Sequence, residues 1–300
     1  MKAELLSRLN SGEVLVCDGA MGTMLQSLGY TTGDPPEKWG VEHEESLRRV
    51  HSEYIEAGAD IILTNTFGGS RPKLEKYGLG SEVEQLNRDL ARIAVDEASK
   101  VGRKVYVAGD VGPTGEFMEP IGTLTESDMI EIFSQQIRAL TQGGVDLIFI
   151  ETMMDPNEAV AAVKAAKKVC DLPVFASMSY NVDKKGFRTM MGTSPEQAVK
   201  ILLETGADVV GANCGDVLAS MMPSLIRQMK EAGAKLVVVE PNAGAPRIID
   251  GRTVFPQTPQ EMARGVPEMI EAGADVIGGC CGTTPEHIRL IARIVKGERK

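Results

Sequence analysis

The stretch EAGADIILTN at positions 56–65 contains the pattern on which the fold prediction rests. It combines the end of an amphipathic segment, a glycine, a short turn and a run of apolar residues. Glycine readily adopts the left-handed conformation that ends a helix, and a continuous apolar run is typical of a strand buried on both faces. The stretch therefore predicts a helix, a turn and a buried strand, in that order.

Close copies of this phrase recur along the chain. They are QGGVD at 142–146, ETGAD at 204–208, EAGAK at 231–235 and EAGAD at 271–275. Each copy is followed by an apolar run, which reads LIFIE, VVGAN, LVVVE and VIGGC in turn. A helix–glycine–strand unit that is used repeatedly predicts parallel strands joined by crossover helices.

Eight strands are predicted when the remaining apolar runs are added. They are Val14–Cys17, Ile61–Thr64, Val105–Ala108, Leu147–Ile150, Val174–Met178, Val209–Ala212, Leu236–Val239 and Val276–Gly278. Helical patterns separate them at Ser46–Ala57, Glu82–Ser99, Ser127–Gln142, Asn157–Val169, Pro195–Thr205, Leu218–Ala232, Pro259–Ala272 and Pro285–Val295. Such units close most simply into an α/β fold, the (β/α)8 TIM barrel. An open doubly wound sheet is the alternative, but no Gly-x-Gly-x-x-Gly follows the first strand.

The composition gives no reason to divide the chain. It has no Ser/Gly linker, charge block or low-complexity tract, so residues 1–300 are predicted to form one barrel domain. Residues 1–12 are assigned to an N-terminal helical cap, in which Lys2–Leu9 is expected to close the barrel floor.

The charge balance excludes some classes of partner. Of the 300 residues, 43% are hydrophobic, and 32 basic against 42 acidic residues give a net charge of −10. Such a chain lacks the basic surface of a nucleic-acid binder or a polybasic membrane anchor. No apolar run approaches the roughly 18 residues of a membrane span. We expect a soluble, cytoplasmic protein with no nucleic-acid or membrane partner.

Polar residues follow every predicted strand at its carboxyl end, where barrels of this type carry their chemistry. In chain order they are Asp18-Gly19, Thr64-Asn65-Thr66, Gly109-Asp110, Glu151-Thr152, Ser179-Tyr180-Asn181, Asn213-Cys214, Glu240-Pro241-Asn242 and Gly279-Cys280-Cys281. Three of the five cysteines thus converge on one rim. Cys17 and Cys170 are assigned structural roles.

Cys214, Cys280 and Cys281 are candidate ligands of one zinc ion. Glycines on both sides of the Cys280-Cys281 pair allow the backbone to bend, so that both thiols face one point. Zinc takes thiolate ligands in tetrahedral geometry, and a catalytic site leaves one position open. Inert buried thiols, or a disulfide between the adjacent cysteines, are the alternatives.

The histidines indicate which zinc chemistry to expect. His43, His51 and His287 fall in predicted helical stretches away from the strand ends, which argues against a His-ligated hydrolytic site. Three thiolates leave a divalent ion with a net negative charge, so it is a poor Lewis acid for making hydroxide. Such a site suits a substrate thiol held as a nucleophilic thiolate, which favours alkyl transfer to sulfur.

Six motifs at the strand ends carry a family resemblance. They are Asp18-Gly-Ala-Met-Gly-Thr-Met, Asn65-Thr-Phe, Glu151-Thr, Gly211-Ala-Asn-Cys214, Pro241-Asn-Ala-Gly244 and Gly278-Gly-Cys-Cys-Gly-Thr-Thr-Pro-Glu-His287. Over nearly the whole chain the sequence resembles the homocysteine S-methyltransferase family, and most closely the homocysteine-binding module of cobalamin-dependent methionine synthase. The resemblance implies a (β/α)8 barrel, zinc on Cys214, Cys280 and Cys281, and homocysteine thiolate as the incoming ligand.

The same resemblance indicates which residues bind the amino-acid end of homocysteine. Asp18 and Glu151 would hold the ammonium group of homocysteine, and backbone amides near Gly19 and Ala20 would face its carboxylate. A loop-capping role is the alternative for either acid.

Further polar residues receive supporting roles. Asn242 resembles the residue whose side-chain oxygen fills the open zinc position before substrate arrives, with a turn role as the alternative. Asn65 and Thr66 are placed among the substrate-binding residues, and with Asn213 they are expected to support the site or form its wall. Asp110 is placed at the pocket mouth without a chemical role.

The implied reaction is zinc-dependent methyl transfer to the thiolate of homocysteine, giving methionine. No side-chain general base is required, because the metal lowers the thiol pKa. Unlike cobalamin-dependent methionine synthase, these 300 residues contain no Asp-x-His-x-x-Gly corrinoid motif, and we expect no folate or reactivation module within them. We therefore expect an excised module, or a free-standing enzyme that takes methyl from a corrinoid (methylcobalamin) on a separate domain or protein.

Other methyl donors and other classes of protein remain as alternatives at this point. S-methylmethionine, S-adenosylmethionine or betaine is the alternative donor, although a chain with 4% aromatic residues shows no evident cage for one. A lyase or aldolase barrel would need a lysine at a strand end, and the predicted ends have none. A non-enzymatic thiol- or metal-binding barrel would not need Asp18 and Glu151 at the same rim.

Overall fold

A computed structural model describes residues 2–31, 33–184, 186–249 and 252–297 of the chain. Its central sheet consists of eight strands: Leu15–Val16, Ile61–Leu63, Tyr106–Val111, Leu147–Met153, Val174–Met178, Val209–Asn213, Val237–Glu240 and Val276–Ile277. From the second strand onwards each strand pairs in parallel with the next, and the eighth pairs with the first. A bridge between Cys17 and Ile61 joins the first strand to the second. The predicted single (β/α)8 barrel is confirmed, and the open sheet is excluded.

Helices cover the outside of the barrel. Those that join successive barrel strands are Glu44–Ala57, Val83–Ser99, Glu126–Gly143, Pro156–Val169, Pro195–Thr205, Met222–Glu231, and Pro259–Ala263 with Val266–Ala272; the helix Pro285–Val295 follows the eighth strand. The stretch predicted as one helix over 259–272 is thus two helices, because Pro267 has no N–H to donate to the Ala263 carbonyl and its ring would clash with that carbonyl in a continuous helix. Within the described ranges, no helix is long and apolar enough to cross a membrane.

The glycine of the repeated phrase ends a helix in a left-handed conformation, as predicted. Gly58, Gly206 and Gly273 have φ of 106°, 110° and 103° and cap the carboxyl ends of their helices. The aspartate of the phrase has a structural role that the sequence pattern did not indicate. It accepts a hydrogen bond from the backbone of the neighbouring strand, as Asp60 does from Val16 N–H at 3.1 Å. The same contact recurs at Asp146, Asp208 and Asp275.

Alternate residues of the barrel strands point inward and form a closed apolar interior. The inward-facing set includes Leu15, Ile61, Tyr106, Ala108, Leu147, Phe149, Phe175, Val209, Val238 and Val276. Leu5 and Leu9 of the helix Lys2–Asn10 pack against this set. The predicted N-terminal helix therefore closes the end of the barrel opposite the strands' carboxyl ends.

Several short elements at the carboxyl-end rim were not predicted. They are the helices Met21–Ser27, Pro36–Glu42 and Arg71–Glu75, and two antiparallel hairpins, Asn181–Asp183 with Gly186–Arg188 and Arg247–Ile249 with Arg252–Val254. The three helices have only 7, 7 and 5 residues, too few for an apolar periodicity to show. They build the walls around the site.

Candidate functional site

The three rim cysteines meet at the carboxyl ends of the sixth and eighth strands. Cys214 Sγ and Cys280 Sγ each lie 4.0 Å from Cys281 Sγ. All three sulfurs lie within 4.8 Å of one another, and all three residues are half-buried. The structure thus places together the thiols that the sequence assigns to one metal.

Special backbone conformations bring these sulfurs together. Cys214 has φ of 56°, a left-handed conformation that is uncommon for a residue with a Cβ and is often found at functional sites. Gly215 follows with φ of 64°, and a Cβ there would lie 2.2 Å from the Tyr180 carbonyl oxygen. Gly282, with φ of 79°, turns the chain after the cysteine pair, and a Cβ there would lie 2.2 Å from Phe255.

Backbone hydrogen bonds join the loops that carry the cysteines. Cys280 N–H donates to Pro241 O at 3.0 Å, and Ala243 N–H donates to Cys281 O at 2.9 Å. Cys214 N–H donates to Glu240 O at 3.3 Å. The end of the seventh strand and the loop after it are therefore bonded to both cysteine loops, which fixes the sulfurs relative to one another.

The three thiols do not ionise alike. Hydrogen bonds from Cys280 and Cys281 lower the pKa of Cys214 to about 3. The hydrogen bond with Cys214 in turn raises the pKa of Cys281 to about 12 and raises that of Cys280 well above its usual range. All three therefore become thiolates together only when a cation balances their charge.

The cluster fits three corners of a tetrahedral metal site. Thiolate sulfurs bound about 2.3 Å from a zinc ion lie about 3.8 Å apart, close to the 4.0 Å separations of the two closest pairs here. Asn242 lies beside Cys214, is 5% exposed and donates from Nδ2 to Gly215 O at 3.0 Å. Its buried Oδ1 has no partner within the described residues, so this oxygen is free to bind a ligand.

A cavity of about 500 Å³ opens beside the cysteines at the carboxyl end of the barrel. All three cysteines line it. The charged lining residues are Asp18, Glu37, Asp110, Glu151, Glu240 and Lys73. Five acids against one base make this cavity favourable for a cationic group.

Asp18 and Glu151 both line this cavity and are almost fully buried. Asp18 Oδ2 accepts a hydrogen bond from Leu63 N–H at 2.9 Å, and Glu151 Oε2 accepts one from Asn213 Nδ2 at 2.7 Å. Burial raises the pKa of each to about 8, and the nearby Cys214 adds to the shift of Glu151. Without a cation, both acids are therefore largely protonated at neutral pH.

Asp110 and Glu240 line the cavity, whereas from the sequence they are predicted to lie at strand ends without a chemical role. Asp110 was placed at the pocket mouth, but it is 5% exposed and lines the cavity. The predicted third strand stopped at Ala108, whereas the strand runs to Val111 and turns Asp110 inward, two residues after Ala108. Glu240 likewise follows the inward-facing Val238 by two residues. This two-residue alternation was the available signal.

Asn213 fixes the end of the fourth strand. Its Nδ2 donates to Glu151 Oε2 and Thr152 Oγ1, and its Oδ1 accepts from Thr152 N–H and Ser177 Oγ, each at 2.7 Å. The amide thus uses both donors and both acceptor positions. These bonds hold Thr152 in its left-handed conformation, with φ of 58°, and orient Glu151.

The backbone near Gly19 and Ala20 lines the cavity, but only some of its polar groups are free to bind a ligand. Ala20 N–H already donates to Thr283 Oγ1 at 3.0 Å, and Tyr54 Oη donates to Ala20 O at 3.1 Å. The loop after the first strand is therefore fastened to the loop that carries Cys280 and Cys281.

Asn65 and Thr66 take different positions. Asn65 lines the cavity, and its Nδ2 donates to Pro36 O at 2.8 Å, which ties the wall helix Pro36–Glu42 to the second strand. Thr66 is fully buried and is not among the residues that line the cavity. Its hydroxyl donates to Asp110 O at 2.7 Å, so it supports the backbone of that residue.

The other cysteines lie outside the three-thiol cluster. Cys17 is fully buried in the barrel interior. Cys170 donates from Sγ to Ala166 O at 3.4 Å at the end of a helix.

The histidines also lie outside the cluster. His51 and His287 are helical, as predicted, and the His287 ring contacts Thr284 and Gln257 O. His43 instead lies between two helices, where its ring stacks on Trp39 at 4.3 Å.

Fold and site together define a (β/α)8 barrel with a three-cysteine centre able to hold a metal ion, beside an acid-lined cavity. The sequence matches the profile of the homocysteine S-methyltransferase family over residues 15–295, and the chain belongs to that family.

Curated relatives include longer proteins. The chain is 32% identical to the methionine synthase of Mycobacterium tuberculosis, over 95% of this chain and 25% of that protein. It is 31% identical to the methionine synthase of Mycobacterium leprae, over 94% of this chain and 24% of that one. The chain therefore spans about a quarter of the length of these relatives.

A solved structure shows the same fold. The metallated form of the homocysteine methyltransferase MmuM from Escherichia coli superposes with a TM-score of 0.80 at 23% identity, covering 96% of this chain and 98% of that one.

Proposed function

We propose that this barrel transfers a methyl group to the thiolate sulfur of homocysteine, which gives methionine. The observation that carries the proposal is the three-thiol cluster at the edge of a cavity lined by five acids. The thiols supply a metal centre for a sulfur atom, and the acids supply a site for an ammonium group. These are the two ends of one small amino acid, and family membership supports the assignment.

Cys214, Cys280 and Cys281 would hold a zinc ion, with Asn242 Oδ1 available as a further ligand. When bound, zinc supplies the positive charge that lowers the pKa of a coordinated thiol while its sulfur stays nucleophilic. The chain contributes three sulfurs whose relative positions are fixed by backbone hydrogen bonds. No side-chain general base is required in this arrangement.

Asp18 and Glu151 would bind the ammonium group of homocysteine, and the backbone near Gly19 and Ala20 would face its carboxylate. The raised pKa values support this role, because a buried carboxyl group ionises readily only beside a cation. An ammonium group between these acids would stabilise their ionised forms. Asn65 would form part of the wall.

The proposed methyl donor is a corrinoid on a separate domain or protein. This rests on the relatedness to methionine synthases, of which this chain matches about a quarter. A small sulfonium or quaternary ammonium donor is the alternative, and the acidic lining favours it, because each such donor carries a positively charged sulfur or nitrogen centre.

A side-by-side assay tests the function and the donor. Zinc-loaded protein and homocysteine are incubated with methylcobalamin, S-methylmethionine, S-adenosylmethionine or betaine, and methionine is measured by mass spectrometry. We expect methionine with methylcobalamin. Methionine from a small donor alone would replace the corrinoid part of the proposal, and none from any donor would contradict methyl transfer.

A further inference from the structure

Asp110 has a buried carboxylate oxygen without a hydrogen-bond partner. The residue is 5% exposed, and its Oδ1 is the one carboxylate oxygen in this state within the described part of the chain. Burying a polar atom without a partner costs free energy, so such atoms are rare in folded proteins. Because Asp110 lines the same cavity as Asp18 and Glu151, this oxygen is available to a ligand there.

The backbone around Asp110 is held firmly. Asp110 N–H donates to Thr64 Oγ1 at 3.0 Å, and its carbonyl oxygen accepts from Thr66 Oγ1 at 2.7 Å. Gln136 Nε2 reaches the same carbonyl at 3.5 Å and Thr66 O at 2.8 Å. The side chain continues the inward series of Tyr106 and Ala108, so it points into the barrel and towards the cavity.

One carboxylate oxygen of Asp18 and one of Glu151 already accept a hydrogen bond. Asp18 Oδ2 is bonded to Leu63 N–H, and Glu151 Oε2 is bonded to Asn213 Nδ2. Among the described residues, the hydrogen-bond partner of the other Asp18 oxygen, Oδ1, is the weak Cys17 thiol, 3.9 Å away. Each of the two acids therefore offers one oxygen to a ligand.

We propose that Asp110 is the third carboxylate that binds the ammonium group of homocysteine, an inference that rests on the proposed function. An ammonium group has three N–H donors, and a buried one requires three acceptors. Asp18 and Glu151 supply two of them. Asp110 Oδ1 supplies the third.

The arrangement of charges supports this assignment. Burial raises the pKa of Asp110, and the charge of the nearby Glu151 adds to this shift. Without a cation, the ionised form of one acid therefore disfavours ionisation of the other. An ammonium group beside both carboxyl groups would favour their ionised forms, so Asp110 makes the site selective for thiols that carry an α-amino group.

A ligand pair that differs only in the ammonium group tests this role. Homocysteine and 4-mercaptobutanoic acid, which lacks the amino group, are titrated calorimetrically into zinc-loaded wild-type protein and into Asp110→Asn. The matched control is Asp146→Asn, a buried aspartate at the opposite end of the barrel that bonds to Val107 N–H. Zinc content and thermal unfolding are measured for every variant, and Asp110→Ala replaces Asp110→Asn if the latter does not fold.

We expect Asp110→Asn to weaken homocysteine binding roughly tenfold or more, in line with the loss of a charged hydrogen bond, and to leave 4-mercaptobutanoic acid within about twofold. The ratio of the two affinities should stay at the wild-type value in Asp146→Asn. An equal loss for both ligands, or no loss for homocysteine, would overturn the role of Asp110. Failure of both thiols to bind wild-type protein would refute the proposed function itself, and this inference with it.

Discussion

Cysteine has two roles in this molecule, and the position of the residue relative to the strand end separates them. Cys17 faces the apolar interior of the barrel and is fully buried. Cys214 follows the last residue of the sixth strand and has a left-handed backbone that turns its sulfur towards two other thiols. The strand ends were predictable from the apolar runs, so the division into three ligand candidates and two structural cysteines was accessible from the sequence.

The first prediction concerns the three thiols. Cys214→Ser, Cys280→Ser and Cys281→Ser should each lose most of the bound zinc and abolish methionine formation, because a serine hydroxyl is a poor substitute for a thiolate ligand. Cys170→Ser, outside the cluster, is the control and should keep both. Zinc is measured by elemental analysis of reduced protein. A serine variant with full methyl transfer would show that its cysteine is not a ligand.

Glu151 allows metal binding and substrate binding to be separated. Glu151→Ala should raise the homocysteine requirement roughly tenfold to a hundredfold, the usual effect of losing a charged hydrogen bond, while zinc stays bound. Glu151→Gln keeps an acceptor for Asn213 and should have a smaller effect. Steady-state kinetics with a zinc determination check this prediction. Loss of zinc in Glu151→Ala would mean that the acid supports the metal centre instead.

His51 carries a pH prediction away from the site. Its ring is fully buried with no partner for either nitrogen among the described residues, and burial lowers its pKa to about 4. The folded state thus binds fewer protons than the unfolded state below pH 6.5, so stability falls as pH drops from there towards 4. This amounts to about 2 kcal/mol at pH 5.

Urea unfolding of wild type and His51→Leu at neutral pH and about pH 5 measures this contribution as the difference between the two proteins. The acid-induced loss should be smaller in His51→Leu, whereas the exposed-site control His43→Gln should behave like wild type. An equal loss in wild type and His51→Leu would contradict the assignment.

Among the secondary-structure elements, most of those that could be predicted from the sequence were located by the repeated phrase. Its glycine and the apolar run after it located five of the eight strands, and the helix Pro195–Thr205 was predicted with both ends correct. The rim helices and hairpins were missed because three to seven residues are too few to show a period. The strand-anchoring aspartate was missed because its partner is a backbone N–H from another part of the chain.

That aspartate makes an element-level prediction. Asp60→Ala removes the acceptor of Val16 N–H and the ionic partner of Arg103 and Lys296, so it should lower the free energy of unfolding by about 1–3 kcal/mol. Asp34→Ala, which removes only an exposed ion pair with Lys38, should change it by less than about 1 kcal/mol. Urea denaturation measures both. Equal effects would show that the phrase's aspartate does not anchor the strand.

For the whole molecule, closure of the barrel produces the site. Eight strand ends, distant in sequence, meet at one rim, and the inward alternation of the strands buries Asp110, Glu151 and Glu240 above an apolar interior. The cysteines could be grouped from the sequence because all strands were expected to end at one rim. The cavity and the unpartnered Asp110 oxygen could not be predicted from the sequence, since they depend on the exact strand lengths and on side-chain packing across the barrel.

The central claim is that three cysteine sulfurs hold a zinc ion that receives the homocysteine sulfur. Zinc X-ray absorption spectroscopy counts these sulfurs directly, on reduced, zinc-loaded protein with and without homocysteine. The account predicts three sulfur ligands at about 2.3 Å with one lighter ligand, and four sulfurs once homocysteine is added. A zinc shell that does not gain a sulfur on addition of homocysteine would contradict it.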